Sequence, residues 1–163
     1  MPEHRANTVF SRGLTAVARG RYLEALALFE TSMELTRRGG DSPPVKCLSY
    51  YGLCVAMAST RLQEAHDLCA AAVHAEPSDP DHHLNLGRVH LRMGDREQAF
   101  ESFVRGLRVD RRHRGLIHAV GAIGFRKRPV LAFLGRRHPL NRMLGQLRAG
   151  RRRNSLSNVL ARI

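Results

Sequence analysis

The side chains that could do chemistry in this chain of 163 residues are nine histidines, three cysteines and the adjacent tyrosines Tyr50 and Tyr51. Imidazole is the commonest metal ligand and moves protons near neutral pH. A helical zinc site would place two histidines one turn apart, as in H-x-x-x-H or H-E-x-x-H. Neither spacing occurs. His82 and His83 are adjacent, His90 follows seven residues after His83 with no carboxylate in register, and His66 and His74 are eight apart. Cys47, Cys54 and Cys69 fall at apolar helical positions. Their odd count and the lack of C-x-x-C point to buried, reduced thiols. Gly13, Gly20, Gly39-Gly40 and Gly87 read as crossing or turn glycines, not as a phosphate-binding loop. No Ser or Cys sits in a nucleophile elbow. The expectation is no catalytic residue, no cofactor and no metal, hence a protein that is not an enzyme.

What must position any binding residue is then a matter of elements. The chain is 43% hydrophobic and 25% charged, has no Trp, and is only 6% aromatic. Its apolar content is carried by Leu, Ala and Val, which suits packed helices better than a β-sandwich. Charge is uneven. Residues 1–110 hold 13 Lys+Arg and all 14 Asp+Glu, whereas residues 111–163 hold 14 basic residues and no acid. Only Lys46 and Lys127 are lysines; a GC-rich coding sequence fits the arginine bias as well as phosphate recognition does. The basic third implies an anionic partner. The N-terminal residues lack the apolar run of a signal peptide. The apolar stretch Gly115–Phe125 is too short to span a bilayer. A cytoplasmic location is expected.

Three segments repeat. They are Gly13-x11-Ala25-x3-Phe29-x2-Ser32, Gly52-x12-Ala65-x3-Cys69-x2-Ala72 and Gly87-x11-Ala99-x3-Phe103-x2-Gly106, with periods of 39 and 35 residues. Each reads as two amphipathic helices, with Gly and Ala where the backbones cross and Phe29, Cys69 or Phe103 beside the crossing. Ser42-Pro43, Asp79-Pro80, Thr60-x-x-Gln63 and Asp95-x-x-Gln98 read as helix starts. The pattern resembles tetratricopeptide repeats, most closely in the third segment with Leu86-Gly87, Gly94, Ala99 and Phe103. The resemblance covers about residues 6–110 and is to the bacterial type with a basic C-terminal extension. It implies an all-α, right-handed solenoid of three helix hairpins (about 6–39, 45–78 and 80–111), followed over 111–163 by a capping helix and a basic, partly helical extension.

The resemblance also implies a concave groove, lined by the first helix of each repeat, that takes a peptide or helix of another protein. Helical phase places Asn7, Phe10 and Leu14 of the first repeat, Lys46, Ser49 and Tyr50 of the second, and Asp81, Asn85, Arg88 and Arg92 of the third on that face; a plain solvated surface is the alternative. Some members grip the C-terminal carboxylate of a chaperone. Here Phe10, Leu14, Tyr50, Asp81 and Asn85 occupy the gripping places, so that set is missing.

Leu116, Ile117, Val120 and Ile123 suggest a capping helix over 112–124. Beyond it, Pro129 and Pro139 divide the chain. Val130–Leu134 is a short apolar plug, and Leu140, Met143, Leu144 and Leu147 form one stripe. Arg126-Lys127-Arg128, Arg136-Arg137 and Arg151-Arg152-Arg153 could hold an anionic partner: nucleic acid, an anionic surface or an acidic protein. No base-reading motif accompanies them. The reading is a protein-interaction adaptor. The alternatives are a ribosome-associated or other protein bound to RNA or DNA backbone, and a secretion- or pilus-related tetratricopeptide chaperone. Neither the partner's identity nor the oligomeric state is legible.

Overall fold

The computed structural model describes residues 2–123, which form seven helices and no strand. Helices α1 (Pro2–Ala18) and α2 (Tyr22–Arg38) make one hairpin, α3 (Val45–Ala58) and α4 (Leu62–Ala75) a second, α5 (Pro80–Met93) and α6 (Arg96–Val109) a third, and α7 (Arg114–Ile123) follows. The expected all-α solenoid of three hairpins and a closing helix is present. The eight basic residues from Arg126 to Arg153 singled out above, the Val130–Leu134 plug and the Leu140 stripe all lie outside the described residues.

The hairpins close because their glycines leave room for a partner side chain. A Cβ added to Gly13 would lie 2.5 Å from Phe29 Cε1, and one on Gly87 2.2 Å from Phe103 Cε1. In the middle hairpin the fit is looser, with a Cβ on Gly52 meeting Cys69 Sγ at 3.0 Å. Phe29, Cys69 and Phe103 are fully buried, as are Ala25, Ala65 and Ala99 one turn before them. Stacking then follows. Each first helix touches the next, α1 to α3, α3 to α5 and α5 to α7, and each second helix packs on the following first helix. The second helices α2, α4 and α6 make at most marginal contact with one another. A slab joined along one side and splayed along the other curves toward the joined side. The face of α1, α3 and α5 is therefore the hollow one.

Two helix starts differ from expectation. Helix α3 begins at Val45 with Pro44 as its N-cap, not at Ser42. A residue before proline is pushed to extended backbone, and Pro43 itself precedes Pro44, so no turn closes earlier. At α4 the N-cap is Arg61 with no side-chain cap. Ser59 acts instead: its Oγ accepts the Arg61 N–H at 3.2 Å and donates to Val55 O at 2.8 Å, ending α3. The aspartate caps form as expected. Asp79 Oδ1 accepts the Asp81 N–H at 2.8 Å, and Asp95 Oδ1 accepts the Gln98 N–H at 3.0 Å. Gly94 ends α5 at φ 85°, a left-handed conformation that suits glycine.

The Gly87 crossing sets a prediction. An alanine there gains helix propensity of about 1 kcal/mol. It must also displace the buried Phe103 ring, and overpacking of this kind costs about 1–3 kcal/mol. Gly87→Ala should lower the unfolding free energy by up to about 2 kcal/mol in urea titrations followed by circular dichroism. Phe103→Ala should cost more, about 3–5 kcal/mol. A raised urea midpoint for Gly87→Ala, or an unchanged one for Phe103→Ala, contradicts the crossing.

Candidate partner-binding site

The hollow face is organised by one carboxylate. Asp81, in the first turn of α5, accepts a hydrogen bond from Lys46 of α3, whose Nζ lies 2.9 Å from Oδ2. The same ammonium lies 3.3 Å from Asp79 Oδ2. On the other side His113 Nε2 lies 3.1 Å from Asp81 Oδ1. His113 Nδ1 accepts the Leu116 N–H of α7 at 3.2 Å, so Nε2 carries the proton and donates to Asp81. The Tyr50 hydroxyl of α3 is a third donor. Asp81 thus ties α3 and the start of α7 to α5. Burial works to raise its pKa, but Lys46, His113 and Tyr50 together hold the carboxyl below the usual range. Burial likewise works to lower the pKa of Lys46, and the two aspartates outweigh it, so its pKa is raised. Burial and the nearby Asp81 push the Tyr50 phenol up.

Phe10 and Tyr50 flank Phe29 from α1 and α3, with ring centroids 5.6 Å and 6.1 Å from it. Both are half-buried. Arg88, half-buried on α5 close enough to Tyr50 to affect its charge, has no salt bridge among the described residues. Arg92 is committed: its Nε donates to Ala56 O at 3.0 Å, in the last turn of α3 where a cation suits the helix dipole. Asn85 departs from expectation. It is fully buried, and its Nδ2 donates to Ser49 Oγ at 3.1 Å. It joins α3 to α5 beneath the face and does not line the groove, because the neighbouring hairpin covers that side of α5. Asn85 Oδ1 has no partner among the described residues.

The structure also brings together groups that do not share one helix. Glu76, Asp79 and His82 have ligand-type atoms all within 4.8 Å of one another. His82 Nε2 is 3.3 Å from Glu76 Oε2, while Asp79 is taken by the α5 cap and Lys46. The rings of His66 on α4 and His90 on α5 meet edge to face at 5.2 Å. Burial and the adjacent His66 lower the His90 pKa. Burial pushes Cys47 up to about 11 and Cys54 and Cys69 up to about 12, so none offers a thiolate at neutral pH. His113 was not expected at the site. Its signal is an N-cap three residues before Leu116, which places it at the mouth of the last helix.

The Asp81 hub predicts acid behaviour. Its folded pKa is depressed, so its contribution is present above the unfolded value of about 3.9 and is lost as pH falls through the folded one. Asp81→Asn should cost about 1 kcal/mol at pH 7. It should also make urea midpoints fall less between pH 5 and pH 3 than they do for the unmodified chain. Parallel acid curves for the two proteins would count against the hub.

A family model described as tetratricopeptide repeat matches residues 56–120, from the end of α3 into α7. No curated protein matches the chain. Among solved structures, the TPR domain of Arabidopsis OM64 is similar with a TM-score of 0.58 at 11% identity, covering 78% of this chain and 100% of that one. The Sgt2 TPR domain from Aspergillus fumigatus gives 0.57 at 16% identity, covering 73% and 76%. The first TPR of Spaghetti (RPAP3), bound to the HSP90 peptide SRMEEVD, gives 0.55 at 15% identity, covering 74% and 91%. Such identities speak for the fold alone. Residues 56–120 thus match the tetratricopeptide-repeat family, and the same helix-crossing pattern precedes them at Gly13 and Phe29.

Proposed function

We propose that this protein is a non-enzymatic adaptor that holds a peptide or helix of another protein along the hollow face of α1, α3 and α5. The carrying observation is Arg88. It is a half-buried cation with no salt bridge among the described residues, near enough for its charge to act on the Tyr50 phenol, on a face where Lys46, Asp79, Asp81 and His113 pair with one another and Arg92 is held by Ala56 O. A cation left open in this way favours a partner that brings a carboxylate, with an apolar side chain to lie near Phe10 and Tyr50. In this reading Phe10, Tyr50 and Arg88 touch the partner. Asp81 holds Tyr50 and Lys46 in place, while Asn85 and Arg92 brace the face from α5. The similar RPAP3 domain is bound to a peptide, which supports the use of this fold for peptide binding.

The basic segment supplies a second contact. Residues 111–163 carry 14 Lys+Arg and no acid. Arg126, Lys127, Arg128, Arg136, Arg137, Arg151, Arg152 and Arg153 would hold a phosphate-bearing or acidic partner, in the cytoplasm. That charge also favours a second reading, in which RNA or DNA backbone is the main ligand.

Crosslinking in cells followed by identification of protein and RNA partners separates the two. The adaptor reading expects protein partners that survive nuclease and are lost, at least tenfold, in Tyr50→Ala/Arg88→Glu. The second reading expects RNA recovered equally by that variant and lost when the eight basic residues become Gln. Its affinity for RNA should also fall at least tenfold from low to moderate salt. Capture of protein that ignores Tyr50 and Arg88 contradicts the proposed groove.

A further inference from the structure

The first turn of α7 is capped by a different chemistry from its neighbours. Helix α5 is capped by the Asp79 carboxylate and α6 by that of Asp95. At α7 the acceptor is an imidazole, because the Leu116 N–H donates to His113 Nδ1 at 3.2 Å. His113 directly precedes Arg114, the first residue of α7, so it stands in the N-cap place. Its own N–H donates to Asp110 O at 3.3 Å, and its side chain is only 20% exposed. Glycine at the second helical position lets the ring fold back over the turn. A Cβ added to Gly115 would lie 2.8 Å from Leu84 Cδ2 and 3.2 Å from His113 Cε1.

A carboxylate accepts a hydrogen bond throughout the neutral range, whereas an imidazole nitrogen accepts only while it is unprotonated. His113 spends both of its nitrogens. The Nδ1 lone pair caps α7, and Nε2–H donates to Asp81 Oδ1 at 3.1 Å. A proton taken up on Nδ1 removes the first bond and leaves the second. The surrounding charges act in the same direction. From α5, Asp81 faces the ring, with Lys46 of α3 on its other oxygen and Asp79 sharing that ammonium. His82 and His83 of α5 are turned to the preceding loop, with Nε2 atoms 3.3 Å from Glu76 Oε2 and 2.9 Å from Pro77 O. At the end of α6 stands Asp110, whose Oδ1 accepts the Arg112 N–H. Arg111, Arg112 and Arg114 flank His113 in the chain, and the first turn of α7 holds no acid. A charged ring is thus attracted to Asp81 and repelled by the positive end of the α7 dipole.

We infer that His113 is a proton-operated cap. Neutral, it ties the first turn of α7 to Asp81; protonated, it releases that turn and stays with Asp81 alone. The cap is present on the alkaline side of the His113 titration and lost on the acid side. Leu116, Val120 and Ile123 keep the helix seated in the core, so acid loosens the entry to α7 and leaves the stack folded. The device lies at the edge of the hollow face, goes beyond the adaptor reading and does not depend on it.

Two measurements on the full chain test it, both across a titration from pH 8 to pH 5. Nitrogen NMR of the imidazole should find the His113 proton on Nε2 at pH 8 and follow uptake of the second proton. Hydrogen exchange, corrected for intrinsic rates, should show the Leu116 amide losing at least about threefold protection in step with that uptake. The Asp81 and Gln98 amides, capped by Asp79 and Asp95, should keep theirs. His113→Asn supplies an N-cap acceptor that does not titrate and should hold Leu116 protection constant. A neutral His113 with its proton on Nδ1 overturns the inference. So does Leu116 protection that ignores the His113 titration, or that falls equally in His113→Asn.

Discussion

Everything in this fold depends on how closely two helix backbones can approach at one point in each hairpin. Glycine at 13, 52 and 87 removes the only atoms that would keep the helices apart, and a buried side chain from the second helix takes the space. The exchange is favourable because a fully buried Phe contributes several kcal/mol while the helix loses about one by carrying Gly. It also fixes register: the aromatic ring can sit against one residue only. Three such crossings make hairpins of like shape, and like hairpins stack. The hollow face is a consequence of that stacking and not a feature encoded separately.

Electrostatics then specialises the face. Asp81 stands where α3, α5 and the entry to α7 meet, and its three donors come from two neighbouring elements. A half-buried carboxylate without them would be costly. With them it becomes a strut that sets the positions of Tyr50 and Lys46. Arg92 against the last turn of α3, and Arg96 of α6 donating to Ile123 O at the end of α7, do similar work at helix C-termini. Most polar groups on the inner side are therefore structural, which is why the open cation at Arg88 stands out.

The crossing residues were legible because their types answer a local demand: Gly and Ala where backbones touch, Phe29 and Phe103 one turn on. The aspartate caps at Asp79 and Asp95 were legible for the same reason. Helix α3 was misplaced at its start because two prolines in series forbid what a Ser-Pro pair alone would allow. Asn85 was placed in the groove because helical phase gives direction and not cover; its burial is decided by Ser49, 36 residues away. The Asp81 hub, the His66–His90 contact and the Glu76–Asp79–His82 cluster involve groups brought together by turns or by neighbouring hairpins, which no spacing rule on one helix can see.

Nuclear Overhauser spectroscopy reads the glycine crossing directly. Strong cross-peaks are expected from the Phe29 ring to the Gly13 α-protons and from the Phe103 ring to those of Gly87, with glycine shifts displaced by the ring current. Assigned spectra in which either ring shows no cross-peak to its glycine would contradict it.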